Sequence, residues 1–257
     1  MCSNNSPIGV FGSGMGGVSV LRKLCRIMPG EDFIYFGDSI NAPYGTKSKE
    51  EIKELTEKAF DYLRERDCKA VVIACNTATS AAAKYLREKY PDYPIIGLEP
   101  ALKPAALSME YPKVLAMATP LTLKEEKFLN LMARYDDKAE FIKLPAPELV
   151  KFIESGELDS KEEIAYLEKI LAPYKDGKVD AVVLGCTHFP FARKTIQKIL
   201  GEDVLVFDGG LGAARQCRRV LEGKNLLSGK EEGGNVVFEN SIPEKTEIAK
   251  KLFYYKG

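Results

Sequence analysis

Apolar residues along this chain fall into two alternating patterns. Short runs that are apolar at nearly every position, rich in Val and Ile, read as parallel strands buried on both faces. Longer stretches with apolar residues three and four apart read as amphipathic helices. Residues 8–11 form a first strand, followed by a glycine-rich turn and a helix over about 18–28. A strand at 33–36, a loop at 41–45, a long helix over about 49–66, a strand leading to Cys75, a helix near 79–89 and a strand at 94–98 complete a first series. A second series opens with a strand at 114–118. It continues through a helix near 124–134, a strand at 140–144, helices near 147–155 and 161–174, and a strand leading to Cys186. A strand at 204–207 and a helix near 212–221 follow, and the charged, glycine-containing stretch 228–234 reads as a loop. This alternation implies an α/β fold of parallel sheets with helices on both faces. Hinges near 98–101 and 207–210 divide the chain into residues 1–98 with 208–257, and residues 99–207, the C-terminal piece packing back on the first domain.

Two passages nearly repeat one another: Val71-Val72-Ile73-Ala74-Cys75-Asn76-Thr77 and Val182-Val183-Leu184-Gly185-Cys186-Thr187-His188. Each is a buried strand that ends in a cysteine followed by small polar residues. Ligands of open parallel sheets bind beyond the carboxyl ends of the strands, so both thiols lie where chemistry is done. The pair suggests two pseudo-symmetric half-structures facing one cleft. A second short match, Val10-Phe11-Gly12-Ser13-Gly14 with Val206-Phe207-Asp208-Gly209-Gly210, points the same way.

Composition adds exclusions. The chain has 257 residues, enough to bury a sizeable core, and 37 basic residues balance 37 acidic ones. That balance points to neither nucleic acid nor an anionic membrane surface. Residues 1–7 lack a hydrophobic signal region and no apolar run approaches the roughly 18 residues of a membrane span, so a soluble cytoplasmic protein is expected. Six cysteines, at 2, 25, 68, 75, 186 and 217, are expected to be reduced thiols in such a compartment. With one histidine and no CxxC or HxxxH pattern, no metal site is expected.

Gly12, Gly14 and Gly17 satisfy GxGxxG between a strand and a helix, with Asp38 further on, which on local rules fits a dinucleotide. That reading leaves both cysteine motifs without a role, and a glycine-rich helix entry is often only a tight turn.

Two opposed thiols suit inversion of a stereocentre: a thiolate takes a proton from one face of a carbon and a thiol returns one to the other. A free thiol has a pKa of about 8.5, so a cation, a helix start or a base must raise the thiolate fraction. Asn76, Thr77, Thr187 and His188 are suited to that and to holding a small zwitterion. Taken singly, a strand-end cysteine is equally a small hydrophobe. Ser13, Asn76, Thr77 and Thr187 could equally bond backbone at turns or helix starts. Pro43-Tyr44-Gly45 could be an ordinary turn, Thr119 a helix cap, Glu154 a solvated helix-end carboxylate and His188 a loop support.

Cys75-Asn76-Thr77-Ala78-Thr79 and Gly185-Cys186-Thr187-His188 resemble the two active-site signatures of the glutamate racemases, within the aspartate/glutamate racemase superfamily. The likeness runs nearly end to end, with Ile8-Gly9-Val10-Phe11, Ser13-Gly14, Gly16-Gly17, Gly37-Asp38, Pro43-Tyr44-Gly45 and Phe152-Ile153-Glu154-Ser155-Gly156 all in order. It implies two α/β domains enclosing glutamate, with Cys75 and Cys186 as an acid/base pair and no cofactor or metal. By position it makes Ser13, Pro43, Tyr44, Gly45, Asn76, Thr77, Thr119 and Thr187 the residues that hold the amino acid, with His188 and Glu154 assisting the thiols. It further implies a homodimer that supplies D-glutamate for peptidoglycan. One departure stands out: the family usually has aspartate before the serine of the first loop, where this chain has Gly12. The alternatives are a racemase or isomerase of another small amino acid or dicarboxylate, with Gly12 making room or removing a charge, or a weakly active homologue that binds a ligand or partner.

Overall fold

The computed structural model describes residues 3–256. In chain order its regular elements are β1 (Ile8–Gly12), α1 (Val18–Ile27), β2 (Phe33–Gly37), α2 (Lys49–Glu65), β3 (Ala70–Ile73), α3 (Asn76–Lys89), β4 (Ile95–Gly97), α4 (Leu102–Ala106), β5 (Lys113–Ala118), α5 (Glu126–Ala133), β6 (Glu140–Pro145), α6 (Pro147–Ser155), α7 (Lys161–Leu171), β7 (Ala181–Leu184), α8 (Arg193–Leu200), β8 (Leu205–Asp208), α9 (Gly210–Gly223), β9 (Val236–Asn240) and α10 (Lys245–Tyr254). Short 3-10 turns fill several connections, among them Met15–Gly17, Ser39–Asn41 and Tyr44–Thr46.

Helix boundaries follow local chemistry. Ser48 caps α2 by accepting from the Glu51 amide at 3.2 Å, and Ser160 does the same for α7 from Glu163. The buried Glu163 carboxylate reaches back to the Asp159 amide at 2.8 Å, closing a variant of the capping box. Pro147 opens α6 and Gly156, with φ 75°, ends it in the left-handed conformation that favours glycine. The third helix begins at Asn76, three residues before the expected start, because the chain turns directly from Cys75 into helix.

Two compact units result. Among the described residues, one comprises 3–99 together with Gly210–Tyr254; the other comprises Pro100–Gly209 with Tyr255 and Lys256. Tyr255 and Lys256 attach to the second unit through Asp159 and Lys194. In the first unit a five-stranded parallel sheet has the order β4-β3-β1-β2-β9, with α1, α9 and α10 packed together as one helical layer and α2 with α3 as another. The second unit has a four-stranded parallel sheet, β6-β5-β7-β8.

The two orders share one plan. In each, the first strand lies between the second and third and the fourth lies outside the third; β9 is an extra strand beyond β2. Thus β1 corresponds to β5 and β3 to β7. The short match between residues 10–14 and 206–210 therefore pairs strands that are not equivalent, β1 and β8.

The continuous apolar runs are explained by burial on both faces. In the second unit Leu115 and Met117 of β5 and Val182 and Leu184 of β7 pack with Leu149, Leu167 and Ile196. Their alternating neighbours Val114, Ala116, Ala181 and Val183 pack with Leu102, Phe128 and Met132 on the other side. Cys25, Cys68, Cys75, Cys186 and Cys217 form no disulfide, and Cys2 lies outside the described residues. Among the described residues no helix is long and apolar enough to cross a membrane.

Candidate active site

Cys75 follows β3 in extended backbone and is the N-cap of α3, so the start of a 14-residue helix sets its partial positive charge beside the sulfur. The neighbouring strand β1 delivers Ser13, whose hydroxyl donates to the Cys75 sulfur across 3.2 Å. Both are buried. Asn76 and Thr77 occupy the first turn of α3, and buried Thr79 braces it: its hydroxyl donates to the Ile73 carbonyl at 3.2 Å and accepts from the Leu98 amide at 3.0 Å. The segment after β2 carries Pro43, exposed, and Gly45, partly buried, on either side of a buried Tyr44. The Tyr44 phenol donates to Asp38 at 2.7 Å. Burial first, then the Asp38 charge and hydrogen bond, then the Cys75 sulfur, push the phenol pKa upward, so it keeps its proton.

The loop before α1 is closely packed. Tyr35, fully buried, donates its hydroxyl to the Gly14 carbonyl. A Cβ at position 12 would lie 2.7 Å from that hydroxyl and 2.8 Å from the Gly14 carbonyl. Gly12 therefore does not leave an open space; Tyr35 fills it. Asp38, the acid that the dinucleotide reading required, accepts from Tyr44 and from the Asn41 amide.

In the second unit Gly185 lets the chain leave β7 hard against β5. Its amide donates to the Met117 carbonyl at 2.7 Å, and a Cβ there would meet that oxygen at 2.9 Å. Cys186 comes next, partly buried, followed by buried Thr187 and His188. His188 Nδ1 lies 3.5 Å from the Cys186 sulfur, and Nε2 lies 2.7 Å from Glu154 Oε1 on α6. The Glu154 side chain is 14% exposed, so it is a partner of the imidazole and not a solvated helix-end charge. Burial opposes a charge on His188, but the Cys186 sulfur and the Glu154 carboxylate outweigh it and raise the pKa to about 10. The imidazolium has N–H donors on both sides and can pass a proton towards sulfur or hold one beside it. Thr119 follows β5 as Ser13 follows β1; its hydroxyl pairs with that of Thr122 at 3.0 Å, shaping the turn at the strand end.

Each unit thus places a hydroxyl after its first strand and a cysteine after its third. Cys75 and Ser13 meet directly, as do Cys186, His188 and Glu154; Thr119 is engaged with Thr122. Asn41 and Tyr35 carry no sequence signal as members of the arrangement, whereas Asp38 and Thr79 are visible only inside the Gly37-Asp38 and Cys75–Thr79 motifs, without a role in the site assigned to either. Among the described residues no group of three or more His, Cys, Asp or Glu side chains could hold a metal ion.

Residues 8–217 match the family model described as Asp/Glu/Hydantoin racemase. The chain belongs to the Asp/Glu/Hydantoin racemase family. The same likeness extends over whole chains within this racemase family. A glutamate racemase of Clostridium perfringens is 50% identical over 254 residues, covering 98% of each chain. The solved glutamate racemase of Francisella tularensis in complex with D-glutamate is 29% identical, with TM-score 0.82, covering 98% of this chain and 95% of that one. A glutamate racemase isoform from Bacillus anthracis is 27% identical with TM-score 0.86, again covering 98% and 95%. Two parallel-sheet α/β domains are therefore the architecture this racemase family member shares with them.

Proposed function

We propose that this chain interconverts L-glutamate and D-glutamate by two-thiol proton transfer. One cysteine, as thiolate, takes the α-proton and leaves a planar carbanion; the other, as thiol, gives a proton to the opposite face. The proton count is conserved, with one thiol gained and one thiolate formed, and the reverse reaction exchanges the roles. The observation that carries this reading is the equivalent placement of Cys75 and Cys186, each directly beyond the third strand of its sheet. Whole-length likeness to glutamate racemases supplies the substrate and does not favour another amino acid or an inactive binding role.

On the first unit, Ser13 holds the Cys75 sulfur by its hydroxyl, while Asn76, Thr77 and the segment carrying Pro43, Tyr44 and Gly45 hold the amino acid. On the second, the Glu154–His188 pair keeps a proton next to Cys186, and Thr187 and Thr119 contribute hydroxyls to substrate. The high histidine pKa supports His188 as a retained positive charge that stabilises the Cys186 thiolate left once that thiol has given up its proton. We take the enzyme to act as a cytoplasmic homodimer supplying D-glutamate for peptidoglycan, on the strength of the same likeness.

The test is optical: purified protein, without added cofactor, is given L-glutamate and the loss of circular dichroism is followed. Racemisation to zero signal supports the reading. No change with glutamate, but change with another amino acid, overturns the substrate assignment.

A further inference from the structure

Asp38 is buried at the carboxyl end of β2, where its amide continues the sheet by donating to the Gly12 carbonyl at 2.9 Å. Its carboxylate collects three contacts from the loop that follows. Oδ2 accepts from the Tyr44 phenol at 2.7 Å, and both oxygens lie 3.0 Å from the Asn41 side-chain amide. The same loop is pinned from its other side, since Ile40 donates its amide to the Ser241 hydroxyl at 2.9 Å and Asn240 donates to the Ser39 hydroxyl at 3.0 Å. The Tyr44 ring packs against Phe11 of β1, with centroids 6.0 Å apart. The short turn that starts at Tyr44 also packs against α3, the helix capped by Cys75.

We propose that Asp38 is a positioning residue of the Cys75 half-site: through Tyr44 and Asn41 it holds Pro43, Tyr44 and Gly45 in the shape that receives the amino acid. This rests on the racemase reading above. A carboxylate is suited to the task because it accepts from two donors at once, whereas an amide in its place turns an N–H towards one of them. The hydrogen bond also commits the phenol proton to Asp38, so Tyr44 presents only lone pairs elsewhere. With no side chain at Gly12, and no space for one, the acid in contact with Tyr44 comes from β2.

The experiment compares wild type, Asp38→Asn, Tyr44→Phe, their double variant and the exchange variant Asp38→Asn/Asn41→Asp. Racemisation gives kcat and KM, and amide hydrogen exchange of the substrate-free proteins gives the mobility of residues 39–46. For each single variant the expected result is a KM raised about tenfold with kcat changed less than about threefold, the signature of lost ground-state positioning. The double variant should be no worse than the poorer single, because one interaction is removed twice. The exchange variant should recover most of the KM. Faster exchange should be confined to residues 39–46.

Unchanged KM and unchanged exchange in Asp38→Asn would overturn the proposal, as would additive losses in the double variant. Faster exchange throughout the unit would overturn it in favour of a merely structural carboxylate. If wild type fails to racemise glutamate, the activity reading falls, whereas the exchange data still decide whether Asp38 holds the loop.

Discussion

Glu154 Oε1 stands 2.7 Å from His188 Nε2, and the other ring nitrogen of that histidine faces Cys186 at 3.5 Å. The imidazole is buried between an acid and a sulfur, and both favour its charged form more than burial disfavours it. The folded pKa, about 10, lies above the ordinary value of 6.5. The stabilisation that comes with the charged ring is therefore complete below about 6.5 and is lost as pH rises through about 10. Glu154→Gln removes one of the two supporting charges. Its expected effects are an alkaline limb of the kcat profile displaced to lower pH and a fall in kcat of about tenfold to hundredfold, the worth of a charge-assisted hydrogen bond. A pH-rate profile of wild type and variant checks both.

Gly12→Asp is expected to impair the protein. The new Cβ meets the Tyr35 hydroxyl at 2.7 Å and the Gly14 carbonyl at 2.8 Å, so the first loop must shift. Overpacking of this kind costs about 1–3 kcal/mol, and thermal unfolding should show it together with a lower turnover. Adding Tyr35→Phe removes one of the two contacts and should return part of the stability. Faster turnover at unchanged Tm would show that the loop accommodates a carboxylate.

Gly185→Ala tests the exit from β7. Its Cβ would sit 2.9 Å from the Met117 carbonyl and 3.0 Å from the Ala118 Cβ, forcing Cys186 away from its place beyond the strand. Because small displacements of reacting groups are costly, activity should fall by about a hundredfold, more than the loss of stability alone explains. Paired measurements of kcat and Tm separate the two.

Lys69 and Glu31 form a buried ion pair in the first unit, their side chains 0% and 4% exposed. Lys69 also donates to the Asn4 carbonyl, and Glu31 accepts from the Ser228 amide at 2.7 Å, so one pair ties together four distant segments. Glu31→Gln leaves the lysine buried without its counter-charge and should cost about 3–5 kcal/mol in chemical unfolding. The double change Glu31→Leu/Lys69→Met should be much milder.

The strands that carry the site are legible in the sequence because β1, β3, β5 and β7 bury both faces and so are apolar at successive positions. The cysteines after β3 and β7 are legible for the same reason. By contrast β9 is a half-exposed edge strand ending in Glu239 and Asn240, and its partner β2 lies some two hundred residues earlier, so no local pattern announces it. Helix α8 is amphipathic but only eight residues long, and α10 buries only Ala249 and Leu252, too little for a helical pattern to stand out there. The role of Asp38 depends on the partners Tyr44 and Asn41 that the loop brings back to it. The sequence shows the acid but not the fold-back, and GxGxxG spacing directs attention to a ligand instead.

Cys75 and Cys186 are both expected to handle the α-proton. The direct measurement follows L-glutamate in deuterated water with wild type, Cys75→Ala and Cys186→Ala, reading optical rotation and deuterium at the α-carbon together. Wild type should racemise with deuterium entering the α-position, and neither single variant should racemise. Racemisation at the full rate in either variant would contradict the two-thiol account.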